Sequence, residues 1–254
     1  MKKSTAGRAW TAPISALAIA LTGCGVSDDL DAQPRTESRD FGVQGDHLTL
    51  DTDKDVTLLP ADGPTVRADR RLAGQAAKDG NASWVLDGGT LRLSGRCSGI
   101  VLNCRAEFTV RIPKGTAVTV NGSGSAGVTA RGLDGALDVT TGQGSVQIDN
   151  ASAPLKVRTG SGRIDAAGLS SPAVDAANDH GSVKLAFDKA PDSVRAESNT
   201  GSVTVRLPED GTRYHVSATA GSSKPHIDVA EAPDSAHTVT AASKAGIVRV
   251  NTKD

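Results

Sequence analysis

From residue 116 onward the sequence keeps returning to one short phrase, a glycine followed by alternating apolar and polar residues. The clear copies are Gly144-Ser145-Val146-Gln147-Ile148, Gly162-Arg163-Ile164-Asp165-Ala166, Gly181-Ser182-Val183-Lys184-Leu185, Gly201-Ser202-Val203-Thr204-Val205 and Gly246-Ile247-Val248-Arg249-Val250. Gly127-Val128-Thr129-Ala130 is a looser first copy, and Gly221 opens a divergent one. The glycines are spaced 17, 18, 19, 20, 20 and 25 residues apart. A second alternating segment precedes most of them, such as Leu137-Asp138-Val139 or Leu155-Lys156-Val157. A period near 20 residues with two short strands per unit is the pattern of a solenoid. One unit is too small to bury a core alone, and stacked units bury a continuous column.

The alternation assigns side chains to faces, because successive residues of a strand point to opposite sides. Val139, Val146, Ile148, Leu155, Val157, Ile164, Val183, Leu185, Val203 and Val205 are expected inside. Asp138, Gln147, Lys156, Arg158, Asp165, Lys184, Arg195, Thr204 and Arg206 are expected outside. Gly127, Gly144, Gly162, Gly181, Gly201 and Gly246 fall at corners, where positive φ or close approach of stacked coils excludes a side chain. The alternative of regularly spaced strands is a β-sandwich; the persistent period favours an all-β solenoid, resembling a single-stranded β-helix. Residues 41–115 form a less regular β region of short alternating segments separated by turns such as Asp87-Gly88-Gly89, and residues 72–78 hold the one stretch suited to a helical turn. Residues 116–251 carry the regular repeats, and the solenoid domain is expected over residues 41–254. Aromatics make up 2% of the chain, so its core should be a thin one of Val, Ile, Leu and Ala.

The N-terminus has another character. Lys2, Lys3 and Arg8 precede a mostly small and apolar stretch, which ends in Leu21-Thr22-Gly23-Cys24. A basic start, a short apolar region and small residues at the cut site mark an export signal. The apolar region is too short for a permanent span, which needs about 20 residues, and no later stretch approaches that length. Leu21-Thr22-Gly23-Cys24 resembles the bacterial lipobox. That resemblance implies a signal peptide over residues 1–23 and a lipid on Cys24, which anchors the chain to the extracytoplasmic face of the cell membrane. Residues 24–40 then read as a polar, lipid-anchored tether. Cys97 and Cys104 remain as an even pair in an oxidising compartment and are expected to close a small disulfide loop. Such a loop stabilises by roughly 2–3 kcal/mol in the chain-entropy model. A metal site there lacks neighbouring histidines.

The chain holds 28 basic and 29 acidic residues. Loss of Lys2, Lys3 and Arg8 leaves an excess of four acidic charges, which gives no electrostatic case for a nucleic-acid partner. The run Gly122-Ser123-Gly124-Ser125-Ala126-Gly127 spells G-x-G-x-x-G, but Val128-Thr129-Ala130 follows where a dinucleotide site needs a helix. It reads as a solenoid corner. Calcium-binding β-rolls need an aspartate in successive short repeats; of the corners Gly142-Gln143-Gly144, Gly160-Ser161-Gly162 and Asn178-Asp179-His180-Gly181, only the last carries an acid. His47, His180, His215, His226 and His237 form no close-spaced ligand pair. No G-x-S-x-G elbow occurs. Paired carboxylates cannot be judged by counting, but sugar sites stack rings on aromatics, and the repeats offer only Phe187 and Tyr214. No cofactor, metal or catalytic residue is expected.

The order of motifs resembles the bacterial DUF4097 family, also called the "putative adhesin" family. Val110-Arg111-Ile112-Pro113-Lys114-Gly115-Thr116, Val118-Thr119-Val120-Asn121-Gly122-Ser123-Gly124, Thr140-Thr141-Gly142-Gln143-Gly144-Ser145-Val146, Arg158-Thr159-Gly160-Ser161-Gly162-Arg163-Ile164 and Ser198-Asn199-Thr200-Gly201-Ser202-Val203 carry it. The resemblance implies a β-solenoid at the cell envelope without assigned catalytic residues. Two features depart from the family pattern, the histidine corner at 178–181 and the long divergent coil at 221–246. The expected function is a non-enzymatic binding, adhesin-like or scaffold module that contacts a wall polymer or an envelope protein. The alternatives are a polysaccharide-acting enzyme on a β-helix and an envelope stress sensor.

Overall fold

The structure, a computed structural model, describes residues 33–42, 45–96 and 104–253. The expected signal peptide, Cys24 and Cys97 lie outside the described residues. The chain begins with β1 (Arg35–Phe41), β2 (His47–Thr52), β3 (Val56–Pro60) and β4 (Val66–Gly74). A 3₁₀ turn at Gln75–Ala77 leads to β5 (Ala82–Asp87), β6 (Thr90–Gly95) and β7 (Cys104–Ile112). Strands then come in pairs, one pair to a coil. These are β8 (Ala117–Gly122) and β9 (Val128–Arg131), β10 (Leu137–Thr141) and β11 (Val146–Asp149), β12 (Leu155–Thr159) and β13 (Ile164–Leu169), β14 (Ala173–His180) and β15 (Val183–Phe187), then β16 (Ser193–Thr200) and β17 (Val203–Leu207). The last two pairs are β18 (His215–Ala220) with β19 (His226–Asp228), and β20 (Thr238–Ala245) with β21 (Val248–Thr252).

One strand of each coil joins an 11-stranded sheet A and the other a 10-stranded sheet B. The repeats stack in parallel and in register, so each sequence position becomes a row. In sheet B, Val118, Leu137, Leu155, Val174 and Val194 form one inward row, and Val120, Val139, Val157, Ala176 and Ala196 the next. In sheet A, Val128, Val146, Ile164, Val183 and Val203 face them. All are buried, as the alternation requires, and Phe187 and Tyr214 are buried with them. Burial and the neighbouring Asp210 carboxylate push the Tyr214 hydroxyl up to about 12.

The glycine corners are set by close approach of stacked backbones. A Cβ on Gly162 would lie 1.9 Å from the Gly144 carbonyl oxygen, and one on Gly144 would lie 1.8 Å from that of Ala126. No side chain fits at such a distance. A buried polar row runs beside this column, made of Thr141, Thr159, Asn178, Ser198 and Ser243, each three residues before a corner glycine. Thr159 Oγ1 donates to the Gly144 carbonyl at 3.1 Å and accepts from Gly162 N–H at 3.1 Å. Ser198 Oγ donates to the Gly181 carbonyl at 2.9 Å, and Ser243 Oγ to that of Gly201 at 2.7 Å. Asn178 Nδ2 donates to the Gly162 carbonyl. These side chains satisfy buried corner carbonyls that the sheet ladders do not reach.

Chain order and spatial order part company at both ends. At the C-terminal end, β20 and β21 pair with β16 and β17, and β18 and β19 lie outside them. Gly246 therefore stacks on Gly201, whereas a Cβ on Gly221 would meet the Lys244 carbonyl oxygen at 1.8 Å. The divergent coil is the last coil in space and the last repeat in sequence is the one before it. At the other end, β2 and β3 pair with β8 and β9, while β6 and β7 stack outside them. Antiparallel β4 and β5 then extend the two sheets beyond β7 and β6, and β1 flanks β4.

This end corrects the expected tether. Residues 35–40 are strand rather than linker, because β1 pairs with β4 from Arg35 opposite Leu72 to Phe41 opposite Val66. Glu37 binds the Arg70 guanidinium through both its Nε and NH2 groups. The region suited to a helical turn is strand to Gly74, and only residues 75–77 coil.

Candidate binding groove

In-register stacking also turns outward positions into rows, and three of them cover sheet B. The row at the strand starts holds His47, Ala117, Ala136, Pro154, Ala173, Ser193 and Thr238. The next holds Thr119, Asp138, Lys156, Asp175, Arg195 and Thr240. The third holds Asn121, Thr140, Arg158, Ala177 and Glu197. Small side chains in the first row beside long ones in the second leave a groove. Its volume is about 610 Å³, and it runs from His47 on β2 to Thr238 and Thr240 on β20.

The charges on the long side neutralise one another. Lys156 Nζ lies 2.9 Å from Asp138 Oδ2, Arg158 pairs with Asp175, and Arg195 NH2 lies 2.8 Å from Glu197 Oε1. Acid and base alternate from coil to coil because like charges in directly opposed positions repel. The middle of the floor is apolar: Ala117, Ala136, Pro154 and Ala173 bring no polar side chain to it, and His47, Ser193 and Thr238 stand at its ends. A groove of this chemistry can hold an elongated, uncharged ligand along the stack.

The residues singled out in the sequence distribute as follows. The corner glycines line the edge between the sheets and are structural. Gly122-Ser123-Gly124-Ser125-Ala126-Gly127 joins β8 to β9, and a strand follows it. His47 Nε2 lies 3.3 Å from Thr119 Oγ1 at one end of the groove. His215 and His237 donate from Nδ1 to the carbonyls of Pro233 and Pro191, at 2.6 and 2.7 Å. His180 and His226 are exposed. In the histidine corner, Asp179 accepts from Asn199 at 2.8 Å. Among the described residues no three His, Cys, Asp or Glu side chains converge as metal ligands. Cys104 begins β7 opposite Gly74. The groove floor was missed in the sequence because alanine and proline carry no chemical signal. Its mark is positional: a small residue stands directly before the first inward aliphatic of β8, β10, β12, β14 and β16, as in Ala136-Leu137, Pro154-Leu155 and Ala173-Val174.

The profile of the family described as Toastrack DUF4097 matches residues 116–254, more than half of the chain. The chain belongs to the Toastrack DUF4097 family. Its match begins at Thr116, just before β8, where spatial and chain order fall into step. Solved structures resemble this chain at low identity. A Parabacteroides distasonis protein named a "putative lipid binding protein" is 14% identical, with 87% of this chain and 98% of that chain covered, at a TM-score of 0.51. A Bacteroides fragilis "putative adhesin" is 16% identical over 86% of this chain and 97% of its own, at 0.49. A "putative adhesin" of Parabacteroides merdae is 12% identical over 87% and 97%, at 0.41. No curated protein matches the chain.

Proposed function

We propose that this Toastrack protein is a non-enzymatic, adhesin-like binding module, exported and held at the extracytoplasmic face of the membrane by lipid on Cys24, and that the sheet-B groove takes an elongated ligand of the envelope. The observation that carries this reading is the groove itself: a floor of small side chains repeated over successive coils, beside charges already paired with each other. Paired charges offer no net field to a strongly charged ligand and favour a long neutral one. The position of β1 supports the anchoring. It lies at the edge of sheet A opposite β19, so a tether entering at Arg35 holds the far coil about 48 Å away at the usual strand spacing. The pair Cys97 and Cys104 closes a loop leading into β7 at the anchored end.

The test is retention of envelope material by the bead-bound chain starting at Gly25, compared with Ala136→Arg and Ala173→Arg, which fill the groove from outward positions. The native chain should retain a wall polymer or an envelope protein, and the double variant should lose at least about tenfold of it, equivalent to 1.4 kcal/mol. Equal retention by both removes the groove from the account. Cys24→Ala should release the chain from membranes or leave its signal uncleaved. Thiol labelling of the denatured, unreduced protein should find Cys97 and Cys104 blocked.

A further inference from the structure

The two ends of the stack are finished differently. At the end bearing β1, the apolar column is closed over. Leu72, Ala76 and Ala77 are buried there, Trp84 meets Phe41 edge-on at 6.2 Å, and the Arg70 guanidinium lies 4.3 Å above the Trp84 ring. The edge strand β1 carries Arg35, Glu37, Arg39 and Asp40, and charge on an edge discourages further strand pairing. At the other end the inward rows run on to the last coil. Val216, Ala218 and Ile227 continue the rows of Val239, Ala241 and Val250. The inner three are at most 1% exposed, while the outer three are only partly buried, like Ala220 and Val229.

The edge of β18 is also unguarded. Its sequence, His215-Val216-Ser217-Ala218-Thr219-Ala220, holds no Lys, Arg, Asp, Glu or Pro. His215 and Gly221 donate their N–H groups inward, to the carbonyls of His237 and Ser243 at 2.8 and 2.9 Å. Backbone groups alternate in direction along a strand, so those of Val216, Ala218 and Ala220 face away from the stack. Among the described residues, the approach to this edge is covered where Tyr214 N–H donates to the Ala230 carbonyl at 2.9 Å.

We propose that this end coil is a self-association surface, on which a second copy of the chain docks end to end about a two-fold axis. In that contact β18 pairs antiparallel with β18 of the other copy, and β19 with β19. A second copy is the occupant because β18 and β19 expose edges in two different sheets at once. Covering both requires two strands held about 10 Å apart. One extended peptide covers one edge, whereas the same end of a second copy presents both at the matching spacing, and a two-fold contact sets each surface against itself. With Ala218 near the axis, Val216 of one copy lies opposite Ala220 of the other and their outward backbone groups face each other. With Ile227 near the axis, His226 of one copy meets Asp228 of the other, a complementary pair. The partly buried rows then close into one column, as terminal repeats require. The N-termini lie at the two far ends of such a pair, an arrangement suited to molecules on facing surfaces.

The test uses the full chain purified in detergent. Light scattering over a dilution series should give twice the chain mass. Ala218→Pro removes an outward N–H without touching the bonds to β20, so it should leave strand content unchanged and weaken association at least about tenfold. Under mild oxidation Ala218→Cys should cross-link two copies, and Thr36→Cys on β1 should not. A native chain of single mass throughout the series overturns the proposal. So does a dimer that Ala218→Pro leaves intact, or capture of a different protein on this edge by a chain that stays monomeric. If Ala218→Pro unfolds, Ser217→Lys at the exposed edge replaces it, and the Ala218→Cys cross-link decides.

Discussion

The coils from β8 to β17 and the segment from β1 to β7 build the same two sheets by different means. In the coils each strand lies on the preceding repeat, parallel and in register, and corner backbones touch with no room for a Cβ. Ion pairs there decorate the surface. In the N-terminal segment, chain order is shuffled and three of the strand pairings are antiparallel. That end is closed by particular side chains: Arg70 with Glu37 and Trp84, and Asp69 with Ser38, Arg67 and Arg111. Repetition thus fixes register through the backbone, and where repetition stops, side-chain pairing has to do so.

Substitutions can break each half of this contrast. The largest effect is expected for Gly162→Val, because its side chain must displace the Gly144 backbone; the loss should be at least about 3 kcal/mol, read as a denaturant midpoint. Gly63→Val, with open space around it, should change the midpoint little. Next comes Arg70→Ala, which removes the ion pair with Glu37, a 2.9 Å hydrogen bond to the Ala82 carbonyl and the contact with Trp84. A loss of about 2–3 kcal/mol is expected, with Trp84 fluorescence shifting toward that of a solvated ring. Thr159→Val keeps the shape of the buried row but removes the acceptor of Gly162 N–H, while the Gly144 carbonyl keeps its 2.9 Å bond from Thr141 Oγ1; the cost should be about 1–3 kcal/mol. The smallest effect is Lys156→Ala at the half-exposed Lys156–Asp138 pair, below about 1 kcal/mol.

Acid should separate the two regions as well. Burial of Asp69 acts to raise its pKa, but the hydrogen bond from Ser38 and the Arg111 and Arg67 guanidiniums outweigh it and hold it below 3.8. Its contribution is therefore present above the unfolded value and is lost as pH falls through the lower folded one. Asp69→Asn should flatten the pH dependence of stability in that acid window, measured by thermal melts.

Some of this architecture was legible in the sequence, and some was not, for physical reasons. The period of two along each strand is a steric necessity, so Val139, Ile164 and Leu185 could be placed inside and Lys156 and Lys184 outside. The corner glycines from Gly144 onward were legible because nothing larger fits. The stacking order at the ends was not, because Gly221 follows Gly201 at the ordinary spacing of 20 and nothing local says that the chain first skips a layer. The nearest signal is the 25-residue step to Gly246, with long connections at residues 208–214 and 229–237 that reach past one coil. The strand at 35–40 was hidden by its charges, which look like a solvated linker until Arg70 and Asp69 are placed opposite them. The groove was hidden for the opposite reason, since its floor is made of residues with nothing to report.

The central structural claim is that backbone stacking, rather than chain order, sets the layers, so that the last repeat in sequence lies between β17 and β19. Through-hydrogen-bond scalar coupling in NMR reads this directly. Val203 N–H donates to the Ile247 carbonyl at 3.0 Å, so a cross-peak between those two nuclei is the predicted result. A cross-peak from Val203 N–H to a carbonyl of residues 224–226 would mean that the coils stack in chain order, and would contradict the account.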